Sequence, residues 1–191
     1  HAGNWRFSQK HSGGSFLEKL CHDLDGLYWL IGAEPVKATA YGGTDFFPDG
    51  RDTIDHAVFL VEYANGCRLS FDYCMGAPYA GRFRGRWLGF IGTKGMLDID
   101  EHISEVTMNE TERRGAKTVF EGLDPATLPG HHRGNNTVIA LADFLSRVKR
   151  GEKKGRFDPA ENLITTRLCL ALEESVRRGG QTIILSEFEP E

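Results

Sequence analysis

Glu18 and His22 stand four residues apart, the spacing that brings two side chains together on one face of a helix. A carboxylate beside an imidazole fixes its tautomer and favours its protonated form, which is how a general acid/base is tuned. Imidazole titrates near ~6.5 in water, so such a pair suits the transfer of a hydroxyl proton at neutral pH. The same spacing also describes an ordinary solvated ion pair. Gly13 and Gly14 stand directly before it. Glycines there weigh toward function, because they let a ligand or another chain approach the backbone closely.

The element that must position these residues reads as a helix from Gly14 to Ile31, with Ser12 or Ser15 as cap and Gly32 as stop. Leu17, Leu20, Leu24, Leu27 and Ile31 recur at helical spacing and form its buried stripe. On the same α-helical wheel Glu18, His22, Asp25 and Trp29 share a second, polar band. Lys19 and Asp23 fall outside it.

After this helix comes a block of strands. Ile54–Ala64 and Cys67–Cys74 alternate in polarity and are joined by Asn65-Gly66, a strong hairpin signal. Val36–Tyr41, Trp87–Ile91, Gly95–Ile99, Val106–Met108 and Lys117–Phe120 read as further strands. Two helices follow, one over about Asn136–Arg150. The other opens at Asp158-Pro159-Ala160-Glu161 and stops at Gly179-Gly180. Thr182–Leu185 is a final strand. Strands in a block with helices before and after predict an α+β domain, a mostly antiparallel, open-faced sheet with helices on one face.

No GxGxxG or GxxxxGK[ST] sequence occurs. The run Gly89-Phe-Ile-Gly92-Thr-Lys-Gly95 lies between two strands and reads as a hairpin turn. On its own the chain is therefore not expected to cradle a pyrophosphate. Basic residues number 23 against 27 acids, which gives no footprint for nucleic acid. The 4 cysteines form no CxxC pair, so free thiols in a reducing compartment are expected. With no long apolar run and no signal-peptide pattern, the reading is cytoplasmic, with no membrane partner.

The run from Ser12 to Gly32 resembles the signature of the glucose–fructose oxidoreductase / inositol dehydrogenase / rhizopine catabolism (Gfo/Idh/MocA) family. There a glycine stretch leads into a helix carrying an acid, a histidine four residues further, a second acid and a Trp-Leu-x-Gly end. Ser12-Gly13-Gly14 match the glycines, Glu18 and His22 the acid and the histidine, Asp25 the later acid, and Trp29-Leu30-Ile31-Gly32 the end. Gly92-Thr-Lys-Gly95, His131-His132-Arg133-Gly134, Asp143-Phe144 and Glu174-Ser175 are similar to later family segments, so the resemblance spans nearly the whole chain. Glu18 replaces the more usual Asp, and Ser12 replaces one glycine.

The resemblance implies the substrate-binding C-terminal domain, residues 1–191, of an NAD(P)-dependent oxidoreductase acting on a sugar, polyol or cyclitol hydroxyl. It implies His22 as acid/base, with Glu18 orienting it or accepting a substrate hydroxyl. Trp5, Arg6, Asp25, His131 and His132 are candidate substrate contacts, although Asp25 is better suited to bracing the helix. Gly13 and Gly14 are candidates for close approach to NAD or NADP. The main cofactor site is implied in an N-terminal Rossmann domain that is not in this sequence, so the chain alone is expected to be inactive. His56, alternating within a strand, reads as structural.

Three other readings compete. Glu18, His22 and His131 or His132 could ligate a metal, but they form no compact ligand set, and no metal is expected. A non-catalytic sugar-binding or dimerisation module would have no use for a tuned acid/base. An NAD-assisted glycoside hydrolase shares the family signature. Large apolar residues on both faces of the Ile54–Cys74 hairpin predict a homo-oligomer through the face that the helices leave open.

Overall fold

The computed structural model describes residues 4–76, 87–100, 105–110, 117–121, 135–153 and 159–190. A 3₁₀ turn at Trp5–Phe7 precedes α1 (Gln9–Ser12); a π-helical turn, Phe16–Leu20, then runs directly into α2 (Cys21–Ile31). Next come β1 (Pro35–Gly43), β2 (His56–Tyr63), β3 (Arg68–Cys74), β4 (Trp87–Gly92), β5 (Gly95–Asp100), β6 (Glu105–Glu110) and β7 (Lys117–Glu121). The chain closes with α3 (Asn135–Lys149), α4 (Pro159–Arg177) and β8 (Ile183–Ile184). The chain divides into two compact units, residues 1–76 with 156–191, and residues 77–155.

In the first unit four strands form a wholly antiparallel sheet in the order β3-β2-β1-β8. The expected α+β class holds, with the helices of this unit packed on one face of its sheet. Ala57, Phe59, Val61 and Tyr63 alternate along β2 and point to that face, where Phe16, Leu20, Leu24, Leu168 and Leu172 meet them. Phe59 stacks on Phe71 with ring centroids 5.0 Å apart, and Phe16 meets Tyr73 edge-on at 5.4 Å. Ala38 and Ala40 give β1 a flat surface on which α4 lies. Beyond the short β8, the Ala40 amide donates to the Ser175 hydroxyl at 2.8 Å, so a helix side chain continues the ladder where the edge strand stops.

Helix ends follow the local chemistry. Gly32 closes α2 at φ 67°, its amide donating to the Tyr28 carbonyl. Gly179 and Gly180, at φ 65° and 91°, end α4 with amides bonded to Val176 and Ser175, a Schellman arrangement. The expected serine caps do not form. Ser12 lies inside α1, and the Ser15 hydroxyl instead donates to the Ile54 carbonyl, tying the helix entry to the start of β2. Asp158, the expected cap of α4, lies outside the described residues.

The second unit is a meander, β4-β5-β6-β7, each neighbour antiparallel. Gly92 and Gly95 face each other across the two-residue turn expected there. A β-carbon on Gly95 would stand 2.2 Å from the Asn109 carbonyl oxygen, so the turn requires glycine. On α3, Asp143 and Arg147 pair at 2.8 Å, and Arg147 also reaches Glu152 at 2.8 Å.

Candidate functional site

The segment that leads into the helix is pinned from the β1–β2 loop. The Gln9 amide donates to Asp52 at 2.6 Å and the Asp52 amide donates to the Phe7 carbonyl. Arg51 is sandwiched between the rings of Phe7 and Phe47, at 4.2 and 4.0 Å, and is held in plane by two bonds to Asp49. That bonding keeps the Asp49 carboxyl down at about 2. The anchoring fixes the 3₁₀ turn that presents Trp5 and Arg6, whose own start is capped by Asn4. Trp5 and Arg6 are both largely exposed and stack on one another, the guanidinium carbon 5.5 Å from the indole centroid.

Arg6 then reaches forward to Glu18, Nε to Oε1 at 3.2 Å, while Lys19 approaches the other oxygen at 3.3 Å. The expected Glu18–His22 pair is therefore not made; the carboxylate is taken by cations. The amide of Cys21 bonds to the carbonyl of Phe16, five residues back, so the helix opens with a wide π turn before α2 begins. π turns of this kind recur at functional sites.

His22 is exposed on the first turn of α2. Its ring makes no hydrogen bond or ion pair among the described residues, so both nitrogens are open to a ligand. Asp25 accepts from the Thr165 hydroxyl at 3.3 Å and so braces α2 against α4. Trp29 is 78 % exposed at the far end of the same helix. His131 and His132 lie outside the described residues.

Gly13 and Gly14 have φ 77° and 102°, a backbone that favours glycine. The space their missing side chains leave is filled from within the chain. A β-carbon on Gly13 would stand 2.8 Å from Leu17 Cδ2, and one on Gly14 only 2.1 Å from both carboxyl oxygens of Glu173. On the side where a β-carbon would stand, both glycines are thus packed by the protein's own side chains.

Two acids that matter here went unnoticed in the sequence. Glu173 is buried on α4. It follows Thr165 and Cys169 at intervals of four, which places it on the stripe that faces the core, and that spacing was the available signal. Asp55 is buried just before β2, where its carboxylate accepts from the amides of Asp45, Phe46 and Phe47 and bonds His56 Nδ1 at 2.9 Å. Burial works to raise its pKa, and these hydrogen bonds outweigh it and leave the group below the usual carboxylate range. His56 also lines a concavity of about 460 Å³ with Asp45, Phe46, Val58, Asp72 and Cys74. None of its lining comes from the glycine turn or the His22 helix.

Residues 1–183 match the model of the Gfo/Idh/MocA oxidoreductase family, C-terminal alpha/beta domain. The chain belongs to this family. Over 92 residues it is 29 % identical to scyllo-inositol 2-dehydrogenase (NAD(+)) of Bacillus subtilis, a match covering 47 % of the chain and 26 % of that enzyme. Its fold is similar to that of an Agrobacterium radiobacter oxidoreductase crystallised with NAD+, L-tartaric acid and magnesium (TM-score 0.72, 18 % identity), covering 90 % of the chain and 49 % of that structure. It is likewise similar to aldose-aldose oxidoreductase of Caulobacter crescentus in complex with glycerol (TM-score 0.74, 18 % identity), covering 95 % and 51 %. The Gfo/Idh/MocA domain described here thus spans about half the length of these solved relatives.

Proposed function

We propose that this Gfo/Idh/MocA domain supplies the substrate side of an NAD(P)-dependent oxidoreductase acting on a hydroxyl of a sugar, polyol or cyclitol. The observation that carries the reading is the state of His22. On a helix that follows a fixed glycine turn, it is exposed and has no partner among the described residues, as a residue that must take a proton from substrate requires. A nicotinamide cofactor, when bound, supplies the hydride chemistry; its main site belongs to a dinucleotide-binding domain outside this chain.

Each residue then has a definite task. His22 accepts the hydroxyl proton as the alcohol is oxidised and returns it in the reverse direction. Arg6 orients Glu18, and its half-exposed guanidinium offers a cationic donor for a hydroxyl of a polyhydroxylated ligand. Exposed Trp5 provides an apolar face against which the carbon side of a sugar ring can lie. The likeness to scyllo-inositol 2-dehydrogenase supports the cyclitol end of this substrate range.

The first sheet supports self-association. Its helix-free face presents Tyr41, Val58 and Leu60, each more than half exposed. A homo-oligomer seated on that face would cover them. Among the described residues no helix is long and apolar enough to cross a membrane, and all four cysteines are free, which supports a reducing, cytoplasmic setting.

The test is His22→Ala in the full-length protein that carries a dinucleotide-binding domain, assayed for NAD(P)H formation on a panel of cyclitols, polyols and sugars. Loss of about 10²–10⁴ in kcat is expected, with cofactor affinity and melting temperature kept. Undiminished turnover would remove His22 from the reaction.

A further inference from the structure

We propose that Glu173 is a positioning residue of this reaction: its carboxyl group, seated against Gly14, sets the angle at which the His22 helix leaves the glycine turn. The proposal rests on the assignment of His22 as acid/base. Its own ground is the packing. Glu173 is 1 % exposed, and both carboxyl oxygens would lie 2.1 Å from a β-carbon at Gly14, so the group occupies the volume that any other residue there would need. Neither oxygen makes a hydrogen bond of full geometry, although the Gln9 side chain approaches and Arg177 Nη2 stands 3.9 Å from Oε1.

Gly14 is the hinge of the helix entry. Its amide donates to the Ser12 hydroxyl at 3.1 Å, and its carbonyl receives the amide of Glu18 at 3.1 Å. Ser15, the next residue, is bonded to the Ile54 carbonyl. A displacement of Gly14 therefore passes directly to Glu18 and on through the π turn to His22.

A buried carboxyl with no well-formed hydrogen bond is far cheaper to hold neutral than charged. Burial pushes Glu173 up to about 7, with the Arg177 guanidinium and the Gln9 amide opposing that rise. The groups that face it come from four elements. On α4 they are Arg177, whose Nη2 is 3.9 Å from Oε1, and the buried thiol of Cys169. Gln9 approaches from α1, the buried Tyr73 hydroxyl from β3, and Cys21 and Glu18 lie beyond these on the helix itself. Arg177 alone among them is cationic. When Glu173 loses its proton, the charge is drawn toward Arg177 and away from Gly14, and the turn loses its packing partner.

The sign follows from linkage. The folded protein binds this proton more tightly than the unfolded chain, so the associated stability is fully present below the unfolded value, about 4.3 for Glu, and is lost as pH rises through about 7. Glutamine in the same place keeps the shape and does not titrate.

The experiment compares wild type, Glu173→Gln, Glu173→Ala and His22→Ala in the full-length enzyme, reading kcat, cofactor KM and melting temperature between about pH 6 and 8.5. Glu173→Gln is expected to match wild type within about twofold in kcat at pH 6, with the ratio of variant to wild type rising at least about threefold by pH 8.5. Its melting temperature should gain on wild type over the same window. Glu173→Ala should lose about tenfold in kcat with cofactor KM unchanged, and Glu173→Gln should restore it. A kcat ratio that stays flat while the melting temperatures diverge would make Glu173 structural only and overturn the proposal, provided His22→Ala is inactive. Should His22→Ala retain full turnover, the acid/base assignment falls and this proposal falls with it. A Glu173→Ala protein that fails to fold leaves the pH ratio of Glu173→Gln to decide.

Discussion

Arg6 Nε lies 3.2 Å from Glu18 Oε1, so the acid at the head of the His22 helix is held by the chain segment before it. The two residues are twelve apart in sequence, with Gly13 and Gly14 in left-handed conformations between them. Glu18 is nearly buried in this contact while Arg6 stays half exposed, which leaves the guanidinium facing solvent.

Arg6→Ala should therefore act on substrate more than on stability. An ion pair this exposed on one side contributes about 0–1 kcal/mol to folding. We expect a melting temperature within about 3 °C of wild type and a raised KM for the polyhydroxylated substrate. Steady-state kinetics of the full-length variant beside a thermal melt would check both, and a KM equal to wild type would take Arg6 out of the substrate site.

Asp55→Ala should be among the more damaging single changes in the first unit. It strands the amides of Asp45, Phe46 and Phe47 and removes the partner of His56. A cost of about 3 kcal/mol is expected at pH 7 from the loss of bonds to a buried charged acceptor. Because the folded carboxyl titrates below its unfolded value, its contribution is present above about pH 4 and fades as pH falls through the folded value. Urea unfolding at pH 7 and again near pH 3 should show the gap between wild type and variant closing at the lower pH.

Leu60→Lys places a charge at the centre of the helix-free sheet face, between Thr39 on β1 and Ser70 on β3. The side chain is already 58 % exposed in the single chain, so folding should be unaffected. If that face is the assembly surface, light scattering across a dilution series should show wild type above monomer mass and the variant reduced toward it. Equal masses for the two proteins would place any association elsewhere.

Much of this molecule was legible without coordinates. Val58 and Phe59 sit on opposite faces of one strand because alternation is a property of the extended backbone, and Asn65-Gly66 turns the chain because glycine tolerates its φ of 84°. The stripe of Leu20, Leu24 and Leu27 buries as the wheel predicts. Such features depend on neighbours in the chain, and local chemistry is enough to set them. The likeness to an oxidoreductase domain was carried by the same short stretch, Ser12 to Gly32. Tertiary structure decided the partners. Arg6 takes Glu18 from the segment before the glycine turn, and the helix there opens with a π turn that a wheel of fixed pitch does not foresee. Glu173 fills the space beside Gly14 from a helix about 160 residues further along the chain. Ser15 reaches Ile54 rather than capping its own helix, and Asp55 gathers three amides from a loop that must first fold around it. Each of these contacts depends on where separate elements pack, and sequence spacing carries no measure of that distance.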